Sequence, residues 1–405
     1  MRYTLVSFAC VWVLICAGGV GRAGDDPEPG NHRNLKCPAA EQYTYDLYVP
    51  AAYAEHPEKR FPVLFATCPY KNPHGYGMQD WAEKRGVLLV SVNDNENGQT
   101  SEEKTHIFKA VLDAVTSSLR VHGKLRFGIG QSGGGASAQH FAHLYPQEWA
   151  GVVMLVHSGT GKTLPEHIAL AMLASEQDEV HSIKAVRSSY RRHKRNGNPL
   201  RIKIFPDGGH DLRAQEDKER MMDWMLAHQM VSHPFLTPEE RDAIKAEILA
   251  RLAAVPDIED PAMRRDEVEF LFSIPGVFQA DGAEAALNAW FDARLTMAAG
   301  RSDPVEALRD LCLLDRHPWT EHVERERRKT LDQRMDEVRK DKDADDEYKA
   351  LRDFAKAEAM VVQAAGDADK LQKLAKAYAY LAQKYEGSSI AKDALQRSRE
   401  LKALL

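Results

Sequence analysis

The sequence predicts an α/β protein: a doubly wound, mostly parallel sheet followed by an all-α C-terminal region. Three observations carry that expectation. Between residues 61 and 205, short continuous apolar runs alternate with segments whose apolar positions recur at helical spacing. This is the pattern of strands buried on both faces and joined by crossover helices. After His233 and Pro234 the strand signal stops, and only helical patterns follow, some of them heavily charged. The chain of 405 residues also exceeds one compact core, so more than one domain is expected.

The elements follow in order from the N-terminus. Met1 and Arg2 precede an apolar run over residues 5–20, and Gly21 and Ala23 supply the small residues a signal peptidase reads. Residues 1–23 are therefore expected to be an export signal, giving a secreted or periplasmic protein. The run is short for a membrane span, and Asp25, Asp26 and Glu28 follow at once. No membrane span is expected after its removal. Residues 24–34 are rich in Gly, Pro, Asp and Asn and read as a flexible linker. The α/β domain is expected over 35–230. Tyr43, Tyr45, Leu47 and Val49 alternate with Thr44, Asp46 and Tyr48, which is strand periodicity, and Pro50 ends it. Apolar runs at 61–66 and 86–92 supply the next strands. Thr100 and Glu103 form a capping-box pattern opening a helix with Ile107, Phe108, Val111, Leu112 and Val115 on one face. A strand at 125–129, a glycine-rich turn and a helix over 136–145 come next. Runs at 151–156, 167–173 and 201–205 complete the strands.

A helical region is expected over 231–320. Thr237 and Glu240 form a second capping box, with Pro238 at the first helical position, and the helix runs to about residue 254. Further helical patterns occupy 267–272, 282–297 and 304–314. The last region, 321–405, opens with a mixed-charge stretch over 321–358 that reads as a solvated helix laced with ion pairs. Residues 364–405 read as two antiparallel helices joined at 385–389. Leu371, Leu374, Ala375, Tyr378 and Leu381 form one apolar stripe, and Ile390, Ala394, Leu395 and Leu401 the other. The pair resembles one tetratricopeptide-type hairpin, although no second copy recurs at a fixed period.

Composition narrows the partners. A formal net charge of -6 gives no electrostatic pull toward nucleic acid or an anionic membrane. Cys10 and Cys16 fall in the export signal, leaving Cys37, Cys68 and Cys312 without metal-ligand spacing. One disulfide plus a free thiol and three free thiols are both open. His140 and His143 stand at i, i+3 on a helix without a third ligand, so no metal site is expected. Residues 159–163 end like a phosphate-binding loop, but Val156 stands where its first glycine belongs. No cofactor is expected.

The chemistry-bearing pattern lies at residues 130–134, which read G-x-S-x-G around Ser132 between a strand and a helix. Such a turn strains the serine and exposes its hydroxyl, and side chains at the flanking glycines would collide. A serine nucleophile needs a base and an orienting carboxylate. His210 sits in a glycine-rich loop after the last strand, where the imidazole can return over the nucleophile. Asp178 follows the strand ending near residue 173 and is the first choice of acid; Glu176 is the alternative and Glu179 trails. His74, Tyr76 and residues 93–97 fall in strand C-terminal loops, which line sites in such sheets.

With the strand over 43–50, the turn at 130–134, the Asp178 turn and Gly208-Gly209-His210, the first half of the chain resembles the α/β-hydrolase superfamily. It is most similar to secreted esterases of the polyhydroxybutyrate-depolymerase and dienelactone-hydrolase type. The resemblance implies hydrolysis of a small-molecule or polymeric ester, or another acyl bond, through an acyl-serine intermediate. Ser132 would attack, His210 would shuttle the proton and Asp178 would orient it. One feature departs from the family: its His-Gly element after the third strand is replaced by residues 66–70, Ala-Thr-Cys-Pro-Tyr. Gly133 N–H remains as one oxyanion donor. Pro69 has no N–H, so the second would come from Cys68 or Tyr70, or be absent. Loss of one donor slows such an enzyme on the order of 100- to 1000-fold. The alternative is accordingly a degenerate hydrolase fold acting as a binding or scaffold protein, with a protein partner on its C-terminal helices.

Overall fold

The computed structural model describes residues 26–211, 214–364 and 367–402. The expected export signal over 1–23 lies outside the described residues. Eight strands form one sheet: β1 Gly30–Cys37, β2 Ala40–Val49, β3 Phe61–Thr67, β4 Leu88–Val92, β5 Val121–Gln131, β6 Trp149–Leu155, β7 Ala169–Ser175 and β8 Leu200–Phe205. Their spatial order is β1-β2-β4-β3-β5-β6-β7-β8. β1, β2 and β4 pair antiparallel, and every pairing from β4 through β3 to β8 is parallel. The crossing helices are α1 Ala51–Glu55, α2 Gln79–Arg85, α3 Ser101–Ser118, α4 Gly133–Leu144, α5 Ile183–Arg195 and α6 Gln215–Ser232.

β4, β6 and β7 are buried at every position, as the continuous apolar runs require of a sheet covered on both faces. Alternation sorts the helices between the two faces. Val152 and Met154 join one core with Phe108 of α3, Phe141 of α4 and Val186 of α5. Gly151 points the other way, where an added Cβ would stand 2.1 Å from Met225 Sδ of α6. α2 lies with α6, since Trp81 Nε1 and Arg85 both donate to Asp223. The first core is built on aromatic rings. Phe108 stacks on Phe141 at 3.9 Å between centroids and meets Trp149 edge-on at 5.5 Å.

Two expectations about the sheet domain need correction. The segment expected as a linker over 24–34 is strand from Gly30 onward, paired with β2 through Gly30↔Val49. Asn34 takes φ 53 at an irregularity in that ladder, and its N–H binds Asp46 Oδ1 at 2.8 Å. A polar edge strand with a bulge carries no apolar alternation, so its sequence reads as loop. The helix expected from residue 136 begins at Gly133, immediately after Ser132.

The remaining helices are α7 Pro238–Ala254, α8 Pro261–Ser273, α9 Ala283–Ala299, α10 Pro304–Asp315, α11 Arg325–Val338, α12 Lys342–Gln363, α13 Ala368–Lys384 and α14 Ile390–Lys402. Among the described residues, the first of two compact units extends to Arg251 and includes Phe270–Phe278; the second holds 252–269 and the residues from Gln279 onward. Thr237 and Glu240 form a reciprocal cap ahead of α7, as their spacing predicts. The charged stretch is two helices rather than one. The first ends at Val338, and Asp341 caps α12 by accepting from Ala344 N at 3.0 Å. In the last pair the stripe Leu374, Ala375, Tyr378 and Leu381 packs with Ile390, Ala394 and Leu401. Leu395 is an exception, since it is exposed. Ser398 is buried in its stead and donates to Ala375 O. Cys37, Cys68 and Cys312 are three free thiols. Among the described residues no helix is long and apolar enough to cross a membrane.

Candidate active site

β5 ends in the turn that holds Ser132. Its backbone adopts φ 50, ψ -126, a region where non-glycine residues are strained. The glycines around it are sterically required. A Cβ on Gly130 would stand 2.3 Å from the Gly134 carbonyl carbon, and one on Gly134 would stand 2.2 Å from Thr67 O. Gly133 leaves room for Asn97, whose Oδ1 would be 1.9 Å from a Cβ there. Ser132 occupies the N-cap position of α4, yet its side chain makes no capping hydrogen bond. The hydroxyl therefore stands beside the positive end of the helix without being used by it.

The acid and base loops are tied together beneath the site. Ser175 Oγ donates to Asp207 O at 2.8 Å and accepts from Gln177 N, linking the end of β7 to the loop after β8. Asp178 Oδ1 lies 3.0 Å from His210 Nδ1 and also accepts from Val180 N and His181 N. The Asp178 side chain is 1% exposed. Burial pushes its carboxyl up, but the His181 amide, the His210 ring and the Val180 amide outweigh it, and it sits below the usual range. A carboxylate so held stays ionised and fixes the imidazole tautomer. Glu176 instead pairs with Arg187 at 3.0 Å, half exposed. Gly208 and Gly209 take φ 98 and 55 in the loop carrying His210. Gln131 Nε2 donates to His210 O at 3.0 Å, placing that loop beside the serine turn. Among the described residues no hydrogen bond joins Ser132 to His210; in ligand-free enzymes this bond is often long and tightens with substrate.

The segment after β3 reaches the same turn. Thr67 Oγ1 donates to Gly134 O at 2.8 Å, and Cys68 Cα would be 2.9 Å from a Cβ on Gly134. Asn95 Nδ2 holds Cys68 O at 2.8 Å. Cys68 is thus fixed against the N-terminus of α4 alongside Gly133. Tyr70 is 81% exposed, in an isolated bridge with Glu96.

Four neighbours of the turn carry signals that motif spacing does not reveal. Tyr76, flagged only by its loop position, donates its hydroxyl to Thr67 O at 2.7 Å and accepts from Gln131 N at 3.1 Å. One phenol thereby clamps the end of β3 to the end of β5, and burial pushes its pKa up. His157 lies against the start of α4, its ring 4.6 Å from His181, which stacks 5.7 Å from His210. Burial, then the neighbouring His181 and His210, holds His157 down to about 4, so it is neutral. Val156 before it takes φ 44, an outlier for a β-branched residue. His74 faces elsewhere, near Asp46 and Arg33 on the β2 side, and Asn93 is engaged by Thr44 and Asp46.

The glycine segment at 159–163 offers no phosphate cradle. Gly159 N–H binds His157 Nδ1, Thr160 N–H binds Gln139 Oε1, and Gln139 Nε2 binds Lys162 O. Among the described residues no group of three or more His, Cys, Asp or Glu is arranged to hold a metal ion.

No family model matches this sequence, and no curated protein does. Solved structures do show likeness. A thermostable esterase is 14% identical, with 46% of this chain and 60% of that chain covered and a TM-score of 0.40. Esterase 2 of Thermogutta terrifontis is 15% identical over 52% of this chain and 98% of that one, with a TM-score of 0.40. An S-formylglutathione hydrolase from Staphylococcus aureus is 15% identical over 50% of this chain and 100% of that one, with a TM-score of 0.39. At such identities and TM-scores the likenesses lend no weight to a functional reading, which rests on this chain's own residues.

Proposed function

We propose that this chain is an exported serine hydrolase that cleaves a carboxylic ester through an acyl-serine intermediate. The observation that carries the reading is the strained, uncapped Ser132 at φ 50 on the β5–α4 turn. Strain of that kind persists where a function keeps it. The pairing of buried Asp178 with the partly exposed His210, at the ends of neighbouring strands, supports the same chemistry. Export rests on the sequence of residues 1–23.

In this reading Ser132 Oγ attacks the acyl carbon while His210 Nε2 takes its proton. The carbonyl oxygen becomes an oxyanion facing the N–H groups of Gly133 and Cys68. His210 then returns the proton to the departing alkoxide, leaving the acyl group on Ser132. Water, deprotonated by His210, attacks next, and the acid leaves as the serine regains its proton. Asp178 stays ionised throughout and stabilises the imidazolium. In this reading the Cys68 N–H stands in for the missing His-Gly element, supported by the approach of the Cys68 backbone to Gly134.

A fluorophosphonate probe tests this on the mature chain. Labelling is expected in the wild type and lost in both Ser132→Ala and His210→Ala. Folded wild-type protein that takes no label would overturn the catalytic reading and favour a binding role for the helical region.

A further inference from the structure

The charge of this protein is unevenly placed. Residues 180–206 carry Lys or Arg at eight positions and no Asp or Glu, in a chain whose net charge is -6. Six of the eight lie in α5, which begins directly after the Asp178 turn and is capped by Ser182 accepting from Ala185 N. Its inner face buries Val186, Ser189 and His193. Lys184, Arg187, Arg191 and Arg195 are all exposed. Their spacing of three, four and four places them on one face of the helix, in a line about 17 Å long at 1.5 Å per residue. Arg187 is paired with Glu176. Lys184, Arg191 and Arg195 have no ion pair among the described residues. The line starts three residues past His181, whose ring stacks on His210.

We infer that this stripe holds an anionic polysaccharide whose ester groups are presented to Ser132. The inference rests on the serine-hydrolase reading above and names its substrate class. Charge complementarity requires a polymer with repeated negative groups, because one anion would engage one or two of these cations. Three features select the kind of polymer. Nucleic acid carries no carboxylic ester, and the stripe has no exposed aromatic platform for bases; Tyr190, the aromatic residue of α5, packs against the core. A membrane surface would need several apolar side chains beside the cations, and Val180 is the single large apolar residue of 180–206 that is exposed. Acidic sugars bearing O-acyl groups combine the negative charge with the ester.

The test separates binding from chemistry. Retention is measured with Ser132→Ala protein, which cannot turn over, on immobilised polygalacturonate, dextran sulfate and neutral dextran at increasing sodium chloride. Expected is retention on a charged polysaccharide, weakening with salt, and at least about tenfold weaker in a variant with Lys184→Glu, Arg191→Glu and Arg195→Glu, with Gln substitutions at the same three sites falling between. Polygalacturonate retained over dextran sulfate assigns carboxylate sugars; the reverse assigns sulfated ones. Equal retention on neutral dextran, undiminished retention of the charge-reversed protein, or capture only by anionic vesicles or single-stranded DNA would each overturn the proposal. Fluorophosphonate labelling of otherwise wild-type protein carrying the charge reversals shows whether the Ser132 site is intact. If wild type binds polysaccharide but takes no label, the stripe stands and the hydrolase reading falls.

Discussion

The sheet and the last three helices are held together by different kinds of residue. In the sheet, Phe65, Phe108, Phe141 and Trp149 interlock in one aromatic core, and three strands are buried end to end. In the last three helices, alanine supplies Ala350, Ala357, Ala375 and Ala394 of the core, around Leu374, Tyr378, Leu381, Ile390 and Leu401. α11 buries Leu331 alone among its described residues and meets solvent with ion pairs such as Arg334–Glu337 and Lys329–Glu326. Burial of apolar area scales with side-chain size, while exposed ion pairs contribute little. Large buried side chains are thus concentrated in the sheet around Ser132, Asp178 and His210, and the last three helices rest on a shallower core.

The largest expected effect belongs to the site. Ser132→Ala should lower ester turnover by at least about a thousandfold, read with p-nitrophenyl acetate, while the melting profile stays in place. Comparable turnover in that variant would remove the contrast between a rigid, functional unit and its neighbour. Next comes the core. Phe108→Ala should destabilise the sheet unit by roughly 3–5 kcal/mol, and hydrogen exchange should show β3–β6 losing protection far more than α13 and α14. Equal loss in both would mean that the two cores unfold as one.

Acid sharpens the comparison further. Burial, then His181, His210 and Lys104, holds His157 down to about 4; burial, then His167, does the same for His233. Unfolded, both would titrate near 6.5. Between these values the unfolded chain binds protons that the folded one refuses, so stability is full above pH 6.5 and falls as pH drops toward 4. Each histidine can remove on the order of 3 kcal/mol, all from the sheet unit. A pH series of melts in which His157→Gln fails to flatten that fall would count against this assignment. The smallest effect is on α11, where Arg334→Ala should change stability by at most ~1 kcal/mol. A larger loss by chemical denaturation would show that the helical unit depends on its surface charges.

The two regions also differ in how far their sequences disclose them. Strands buried on both faces announce themselves as apolar runs, and the Thr100 and Thr237 caps are written in residue types three apart. β1 was not legible, because an edge strand with a bulge at Asn34 buries little and alternates poorly. Nor was the break at Asp341, where flanking lysines leave the helical periodicity without a glycine or proline to mark it. For the candidate site, motif and chain order name Ser132, Asp178 and His210, but not what surrounds them. The clamp by Tyr76 and the edge-on contact of His157 with His181 join residues far apart in the chain through loops, and loops carry no period. The choice between Cys68 and Tyr70 turns on which backbone touches Gly134, a question of a few ångströms that spacing cannot answer.

Among the helices described as starting from a serine, threonine or aspartate cap, α4 differs at that residue. Thr100, Ser182, Asp303, Asp341 and Asp367 each turn a side-chain oxygen back onto their own helix, whereas Ser132 does not. An N-cap hydroxyl ordinarily stabilises a helix by about 1 kcal/mol, and α4 forgoes that contribution. A population of variants screened for folding alone would therefore let position 132 drift to alanine or glycine. The same population screened for turnover should hold serine there and nowhere else among the helix starts. Sequencing the two pools side by side would show, from the spread of residues at one position, which pressure shaped the turn.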